Sequence, residues 1–432
     1  MRDGLSLRRA SAGTFAVKLA ETGLALGVTA SLTRLLGPAG FGTYAFALTI
    51  VFLASVPAQA GLPPLVVRET SKAAAADRWG QVDRLWAWSG ATGLLVGVVV
   101  AGLVMLLAWP LSPPAPLGVL AGGLPLVPLL ALTAVRAAAL RGLRRMVLGQ
   151  LLDTVARPAV FLLLIGLAAM LTAPQALTPV RAMLLHTAAA ALALALATWR
   201  LRVAGKGARA RAIPDPGQPA AWRRAAVPMG LVASLQVLNT SADVVMLGVL
   251  ADDADVGIYR VAAQAAALVS FGLVAVNVAI GPQVARDHAA GRHHDLQRLV
   301  TASARGAFAF ALVSVTVLLA AGGWLLSLFA GPAFAAGATS LKILALGQLV
   351  NAGMGSVGLL LQMTGHERDT LRNVAVAAGG NVALNLALIP AFGTAGAATA
   401  TALTFVLWNG LLWRAVHRRL GIESSALGTR RR

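Results

Sequence analysis

The sequence contains no cysteine, which excludes disulfides, zinc–thiolate sites and iron–sulfur clusters, although the absence says little about compartment. Charge is scarce too: 12% of residues are Asp, Glu, Lys or Arg, about half of the roughly 25% usual in soluble domains. Acidic residues are the rarer sign, 16 against 36 basic ones. In place of charge the chain has apolar surface, 58% of its residues, with a mean hydropathy of +0.76. So few charges cannot clothe 432 residues in water; the bilayer must be the solvent for most of the molecule. One membrane helix with its connection takes roughly 30–40 residues, so this length accommodates about 12 spans. No room is left for a sizeable soluble domain, which argues against most soluble-domain enzymology. No signal peptide is apparent, since Arg2, Arg8 and Arg9 are not followed by a short apolar run with a small-residue cleavage site.

Apolar stretches of spanning length are expected at 14–36, 41–67, 85–109, 117–139, 150–171, 180–199, 226–250, 257–285, 305–329, 337–363, 373–390 and 395–416. The connections alternate in character. One set carries Arg68, Lys72, Arg78 and Arg84; Arg141, Arg144 and Arg145; Arg200 through Arg224; Arg286, Arg292 and Arg298; Arg368 and Arg372. The other set, 37–40, 110–116, 172–179, 251–256, 330–336 and 390–394, has no Lys or Arg, and its fourth member holds Asp252, Asp253 and Asp255. This alternation is the positive-inside pattern, and it puts both termini in the cytoplasm. Much of the net charge of +20 is therefore topology and attraction to an anionic inner leaflet. A nucleic-acid partner is the poor reading. The stretch Arg200–Arg224, with Pro214, Pro216, Gly217 and Pro219, reads as a solvated linker. The expected organisation is an N-terminal six-helix lobe (1–199), a basic cytoplasmic linker (200–225), a C-terminal six-helix lobe (226–416) and a basic cytoplasmic tail (417–432).

The halves look like repeats. Phe41-Gly42-Thr43-Tyr44 aligns with Val256-Gly257-Ile258-Tyr259 at an offset of 215, and Arg84-Leu85 with Arg298-Leu299 at 214. Gly142 and Arg145 align with Gly365 and Arg368 at 223. Each pair falls at the same place in its half. Six spans is an even number, so both halves insert with one orientation, the parallel type of transporter repeat.

The run Leu35-Leu36-Gly37-Pro38-Ala39-Gly40-Phe41-Gly42-Thr43-Tyr44, followed by Gly61-Leu62 and Arg68-Glu69, resembles the opening of prokaryotic polysaccharide flippases. Ala242-Asp243-Val244-Val245-Met246-Leu247-Gly248 and Val256-Gly257-Ile258-Tyr259-Arg260-Val261-Ala262 add to the likeness in the second half, as do Arg141-Gly142 and Leu148-Gly149-Gln150 between spans four and five. These flippases belong to the multidrug/oligosaccharidyl-lipid/polysaccharide exporter superfamily, and the resemblance covers nearly the whole chain. It implies an all-α polytopic protein of two pseudo-symmetric six-helix lobes that exports a lipid-diphosphate-linked saccharide by alternating access. The related lipid II flippases usually have additional spans, which this length does not accommodate.

Ionisable groups at bilayer depth cost about 2.5–3.5 kcal/mol on insertion scales and mark partners or aqueous cavities. Lys18 and Glu21, three apart on span one, share a helix face and read either as a self-neutralising pair or as cavity groups. Asp153 and Arg157, four apart on span five, invite the same pairing. Asp243 and Arg260 flank the outer loop near residue 252 at similar depth, roughly 12 Å from the turn, and are expected to interact directly or through water. Arg34, Arg181 and Lys342 lie near the outer face, as anchors or as cationic lining for a diphosphate or acidic sugar. Gln236, Asn239, Thr240, Gln264 and Asn277 on spans seven and eight suit interhelical hydrogen bonds or saccharide hydroxyls. Pro57, Pro63, Pro64, Pro125 and Pro128 remove backbone donors, as hinges or static kinks.

Catalytic readings fare badly. His293-His294 followed by Asp295 resembles a metal cluster only superficially, since adjacent helical side chains point about 100° apart. His186 has no acidic neighbour in sequence and is expected to pack or to line a cavity. The glycines from Gly353 to Gly358 lack the lysine of a phosphate loop and suit close helix packing. No cofactor, metal or ATP-binding motif is expected. The reading is a flippase for polyprenyl-diphosphate-linked oligosaccharide in the bacterial cytoplasmic membrane, serving cell-surface polysaccharide biosynthesis. Proton or sodium coupling, through Glu21 or Asp243, and contact with other polysaccharide-assembly proteins stay open. The rivals are a cation-coupled multidrug exporter of the same fold, a membrane polysaccharide polymerase or ligase, and a non-transporting scaffold.

Overall fold

The long helices carry small residues on their inner seams and large apolar ones outside, the reverse of a water-soluble protein. On α3 (Trp79–Ala108) the buried side is Val82, Trp86, Ser89, Gly90, Gly93 and Gly97, a seam at three- and four-residue spacing. Leu95 and Leu106 on the other side are 66% and 70% exposed. α12 (His293–Ala330) repeats the arrangement, burying Ala304, Ala307, Ala311, Val315 and Gly322 while Val313 and Trp324 face outward. Small residues let membrane helices approach closely, because lipid tails are as apolar as leucine and apolar exposure carries no penalty there.

The computed structural model describes the backbone of residues 2–59, 61–110, 114–171, 177–209 and 218–428, and the side chains of these except 2–12, 114–115, 206–209, 227–228, 231–240 and 367. Regular structure among them is helical. α1 (Arg2–Gln59) precedes α2 (Leu62–Ala75) and α3; α4 (Pro114–Gly123) and α5 (Leu126–Gly142) follow. α6 (Met146–Gln150) runs through a π-helical turn, Leu151–Val155, into α7 (Ala156–Leu171); α8 (Pro179–Arg209) and α9 (Pro219–Leu250) come next. α10 (Asp253–Ala267) and α11 (Phe271–Ala289) are joined by a 3₁₀ turn, Leu268–Ser270, inside the stretch expected at 257–285. α12, α13 (Ala338–Met354), α14 (Val357–Met363) and α15 (Glu367–Leu420) complete the chain.

Nine helical segments of the described residues are long and apolar enough to cross a membrane. Two of them, Gly13–Ala75 with 63 residues and Arg368–Leu420 with 53, far exceed the roughly 20 residues of one crossing. Both contain a backbone break where a loop is expected: Gly37 (φ 68°, ψ −179°) in α1 and Gly393 (φ 54°, ψ −130°) in α15. The chain is thus a polytopic, all-helical membrane protein.

The helices gather into two compact units. Unit 1 comprises residues 1–36 and 43–237; unit 2 comprises 37–42 and 238–432. Leu65, Leu85, Trp86, Val135, Leu140, Leu201 and Trp222 form a core within unit 1. In unit 2, Ile280, Val284, Leu296, Val300, Leu360, Val416 and Ile422 do so. The segment expected as linker 200–225 is helical at both ends, and Leu201 and Trp222 are buried. Its basic composition hides one apolar residue at each end that faces inward, so α8 and α9 extend into it.

The turns after α2, α5, α11 and α14 share one hydrogen-bond geometry. The N–H of Arg78 reaches the carbonyl of Ala73 at 2.9 Å, and that of Arg145 reaches Leu140 at 3.0 Å. In unit 2 Arg292 reaches Asp287 at 2.9 Å and His366 reaches Leu361 at 2.8 Å. Each is the six-to-one bond of a Schellman cap, which needs a left-handed residue just before the donor. Gly291 and Gly365 fill that place in unit 2, Asp77 (φ 55°) and Arg144 (φ 62°) in unit 1. Left-handed backbone costs a non-glycine residue about 1–2 kcal/mol. Asp77 recovers part of this by accepting a 2.6 Å hydrogen bond from Trp79 Nε1. Arg144→Gly should therefore raise unfolding stability by about 1 kcal/mol, and Asp77→Gly by clearly less, in thermal melts of the purified protein. Equal gains at the two sites would contradict the assignment.

Candidate functional site

The candidate site groups are on helices whose termini and breaks fix their register, and each unit holds a polar cluster built from them. In unit 1 the cluster centres on His186 of α8, which is buried. Its ring stacks on Phe161 of α7, with centroids 4.3 Å apart and planes inclined by 14°. Arg157 Nη1 lies 3.1 Å from His186 Nε2, and the Tyr44 hydroxyl lies 2.6 Å from Nδ1. A guanidinium only donates, so Nε2 accepts, and the neutral ring carries its proton on Nδ1 and donates to the Tyr44 oxygen. The Arg157 guanidinium also lies over the Phe52 ring, 5.1 Å from its centroid. Its Nε is buried without a hydrogen-bond partner among the described residues.

The pairing expected between Asp153 and Arg157 does not form. Asp153 instead accepts from Arg141 Nη1 at 3.0 Å. The cause is the π-helical turn at Leu151–Val155: its wider i→i+5 spacing rotates Asp153 off the face of a residue four positions later. Lys18 and Glu21 do pair, at 2.9 Å. Both carboxylates near Arg157 are thus engaged by other cations, and Arg157 has no ion pair among the described residues.

In unit 2 a cavity of about 360 Å³ is lined by Asp243, Tyr259, Arg260, Gln264, Gln348, Asn381, Thr401, Thr404 and Trp408, among others. The size falls within the range of small-ligand pockets. Asp243 is held by the hydroxyl of Tyr259 at 2.5 Å, the N–H of Val244 at 2.8 Å and the hydroxyl of Thr401 at 3.4 Å. Asp243 and Arg260 face the same cavity, as their matched depth implied; of the two expected modes, direct or through water, the direct one is absent, and the Tyr259 hydroxyl holds the carboxylate. Arg260 makes no hydrogen bond or ion pair among the described residues. Asn381 donates to Thr404 at 3.1 Å, and Trp408 Nε1 is buried without a partner among the described residues. Val244, Leu344, Phe405 and three alanines make much of the wall apolar, and into it project Asp243, the amides and hydroxyls, and the Arg260 cation.

Of the other expected groups, Gln264 lines this cavity, and Asn277 Oδ1 is buried without a partner among the described residues. Arg34, Arg181 and Lys342 are exposed on their own units. Gln236, Asn239 and Thr240 lie outside the residues whose side chains are described. His294 accepts from Arg298, and His293 packs edge-on against His288; among the described residues no three His, Asp or Glu side chains gather as metal ligands.

Five polar cavity residues escaped the sequence reading: Gln348, Asn381, Thr401, Thr404 and Trp408. One signal was available for Thr401. The chain has two tyrosines, at equivalent repeat positions, and each hydrogen-bonds to the residue 142 positions later, His186 in unit 1 and Thr401 in unit 2. Arg136, whose Nη1 reaches the Trp86 carbonyl at 3.3 Å, was also missed, hidden by its nearness to the basic turn at Arg141.

The helical architecture defines a polytopic membrane protein, and comparison with known proteins narrows the class. Residues 7–286 match the polysaccharide biosynthesis protein family, and residues 228–401 match the MatE family. The chain belongs to the polysaccharide biosynthesis protein family. None of the curated proteins compared matches it. An inward-facing MATE-family multidrug resistance transporter of the MOP superfamily has a TM-score of 0.72 at 13% identity, covering 93% of this chain and 94% of that one. The lipid II flippase MurJ, inward closed, also scores 0.72, at 12% identity, covering 94% and 87%. A MOP transporter from Pyrococcus furiosus, described by the reversed polarity of its binding pocket, scores 0.68 at 12% identity, covering 96% and 95%. At these identities the likeness establishes the fold alone.

Tyr44→Phe strips a buried ring nitrogen of its partner, which costs about 1–3 kcal/mol. Thermal unfolding should show that loss, and unchanged stability would contradict the Tyr44–His186 hydrogen bond.

Proposed function

We propose that the protein is a flippase that moves a polyprenyl-diphosphate-linked oligosaccharide across the bacterial cytoplasmic membrane, for cell-surface polysaccharide biosynthesis. The reading carries with it twelve spans in two six-helix lobes, cytoplasmic termini and alternating access between them. The observation that supports it most is Arg260, a guanidinium without an ion pair among the described residues, facing a cavity whose other polar lining is the Asp243 carboxylate, amides, hydroxyls and an indole. A diphosphate cannot enter hydrocarbon with its charge bare, and a guanidinium is the side chain whose fork matches phosphate oxygens. The carboxamides of Gln264, Gln348 and Asn381 can both donate to and accept from sugar hydroxyls. Trp408 offers an apolar face and an N–H with no partner among the described residues. The polyprenyl chain stays in the bilayer throughout. Arg157 in unit 1, equally without an ion pair among the described residues, is a further cationic contact. Lys18, Glu21, Asp153, Arg34, Arg181, Lys342, Gln236, Asn239 and Asn277 stay candidates for the rest of the path.

A second reading has one observation in its favour. Asp243 lies in the same cavity, and a buried carboxylate suits a cation-coupled exporter of apolar cations; on the flippase reading, Asp243 is instead a site for coupling to protons or sodium.

Vesicles containing the purified protein separate the alternatives. A fluorescent polyprenyl-diphosphate saccharide should change leaflet in the presence of wild-type protein, and Arg260→Gln should slow the transfer at least about tenfold, the loss expected for one charge-assisted hydrogen bond. Transfer of a lipophilic cation in place of the saccharide lipid would favour the exporter, and elongation of the saccharide would favour a polymerase.

A further inference from the structure

Residues 421–428, after the last helix, are seated in unit 2. α15 stops at Gly421, whose left-handed backbone (φ 65°, ψ 15°) turns the chain. Beyond it Ile422, Ser424 and Ala426 are buried while Glu423 and Ser425 are half-buried, the period of two of an extended segment. Ile422 enters the unit 2 core beside Val284, Leu296 and Val416.

Hydrogen bonds on several sides hold this strap. Gln297 of α12 clasps the main chain of Glu423: its Nε2 donates to the Glu423 carbonyl at 2.6 Å, and its Oε1 accepts the Glu423 N–H at 2.9 Å. A side-chain amide bonded in that way replaces the peptide group of a neighbouring strand. Arg305 of α12 donates to the carbonyls of Ala426 and Gly428, both at 3.3 Å. The Glu423 carboxylate accepts from Trp413 Nε1 at 2.8 Å and from the Ser425 N–H at 3.0 Å. Burial pushes that carboxyl up, and the two donors more than offset it, leaving it below the ordinary range.

The strap crosses the chain where α13 gives way to α14. Gly355 has φ 74° and ψ −159°, and the Val357 N–H, which would continue the helix onto Gly353, turns to the Gly355 carbonyl at 2.9 Å. The Gly353 carbonyl is freed, and the strap supplies its donor, the Ala426 N–H at 2.8 Å. A Cβ on Gly355 would overlap the Ser424 carbonyl oxygen, so the break and the strap occupy complementary space.

We propose that residues 421–428 act as a conformational latch, which holds the α13–α14 break open and ties it to the adjoining ends of α12 and α15. The latch is independent of what the protein transports. Amide hydrogen exchange on the full chain tests it. Gln297→Leu keeps bulk and removes both main-chain bonds, and exchange over residues 353–363 and 422–428 should quicken about tenfold or more, with α3 unchanged. Because the chain has no native cysteine, Gly353→Cys with Ala426→Cys can be oxidised without competing thiols; a backbone hydrogen bond brings two residues within disulfide reach. Oxidation of that pair in the Gln297→Leu chain should restore slow exchange over 353–363. Unchanged exchange in Gln297→Leu, exchange that rises equally throughout both units, or failure of the oxidised pair to restore protection would overturn the latch.

Discussion

An apolar helical bundle holds an ionised side chain only where something else in the bundle, or something that enters it, answers the charge. This constraint organises the interior of both units. Glu21 is answered by Lys18, Asp153 by Arg141, and Asp243 by the hydroxyls of Tyr259 and Thr401 and by a backbone N–H. Two guanidiniums, Arg157 and Arg260, have no carboxylate in contact among the described residues. Neutral donors leave the charge of Asp243 in place, so among these groups two guanidiniums stand against one carboxylate, a balance of one positive charge, and a transported anion is the counterpart we propose. Arg157 shows how such a group is kept in place: His186 accepts from one nitrogen, Phe52 lies under its face, and Tyr44 fixes His186 from the far side.

The two units carry matching sequence positions, and the differences between them are informative. Both tyrosines of the chain sit at the same repeat position and reach the same partner position, yet the partner is a histidine in one unit and a threonine in the other. In unit 1 the cluster is closed by the stacked Phe161 ring; in unit 2 the tyrosine hydroxyl turns to Asp243 and the adjoining space is an open cavity. The paired glycines of the repeat also meet. Within unit 2, a Cβ on Gly42 would overlap the Asp253 carbonyl and one on Gly257 would overlap that of Pro38. Backbone passes against backbone there, which only glycine permits.

The helical class and the two glycine breaks were legible in the sequence because they rest on hydropathy. The breaks at Gly37 and Gly393 fall inside the expected uncharged loops. Local rules failed where a helix departs from ideal geometry: the π-helical turn separated Asp153 from Arg157, which four-residue spacing had joined. They failed again where a contact spans distant helices, as with Asn381, Thr401 and Trp408 beside Asp243. The strap was illegible for another reason, since the basic composition of the tail says nothing of the alternating Ile422, Ser424 and Ala426 that bury.

The account turns on the sign of the charge that the interior seeks. Equilibrium binding to the purified protein, with a polyprenyl diphosphate, the uncharged polyprenol of equal length and a lipophilic cation as competing ligands, reads that sign directly. The account predicts that the diphosphate binds at least about tenfold more tightly than the alcohol, and that added salt weakens the preference. Tighter binding of the cation, or equal binding of diphosphate and alcohol, would contradict it.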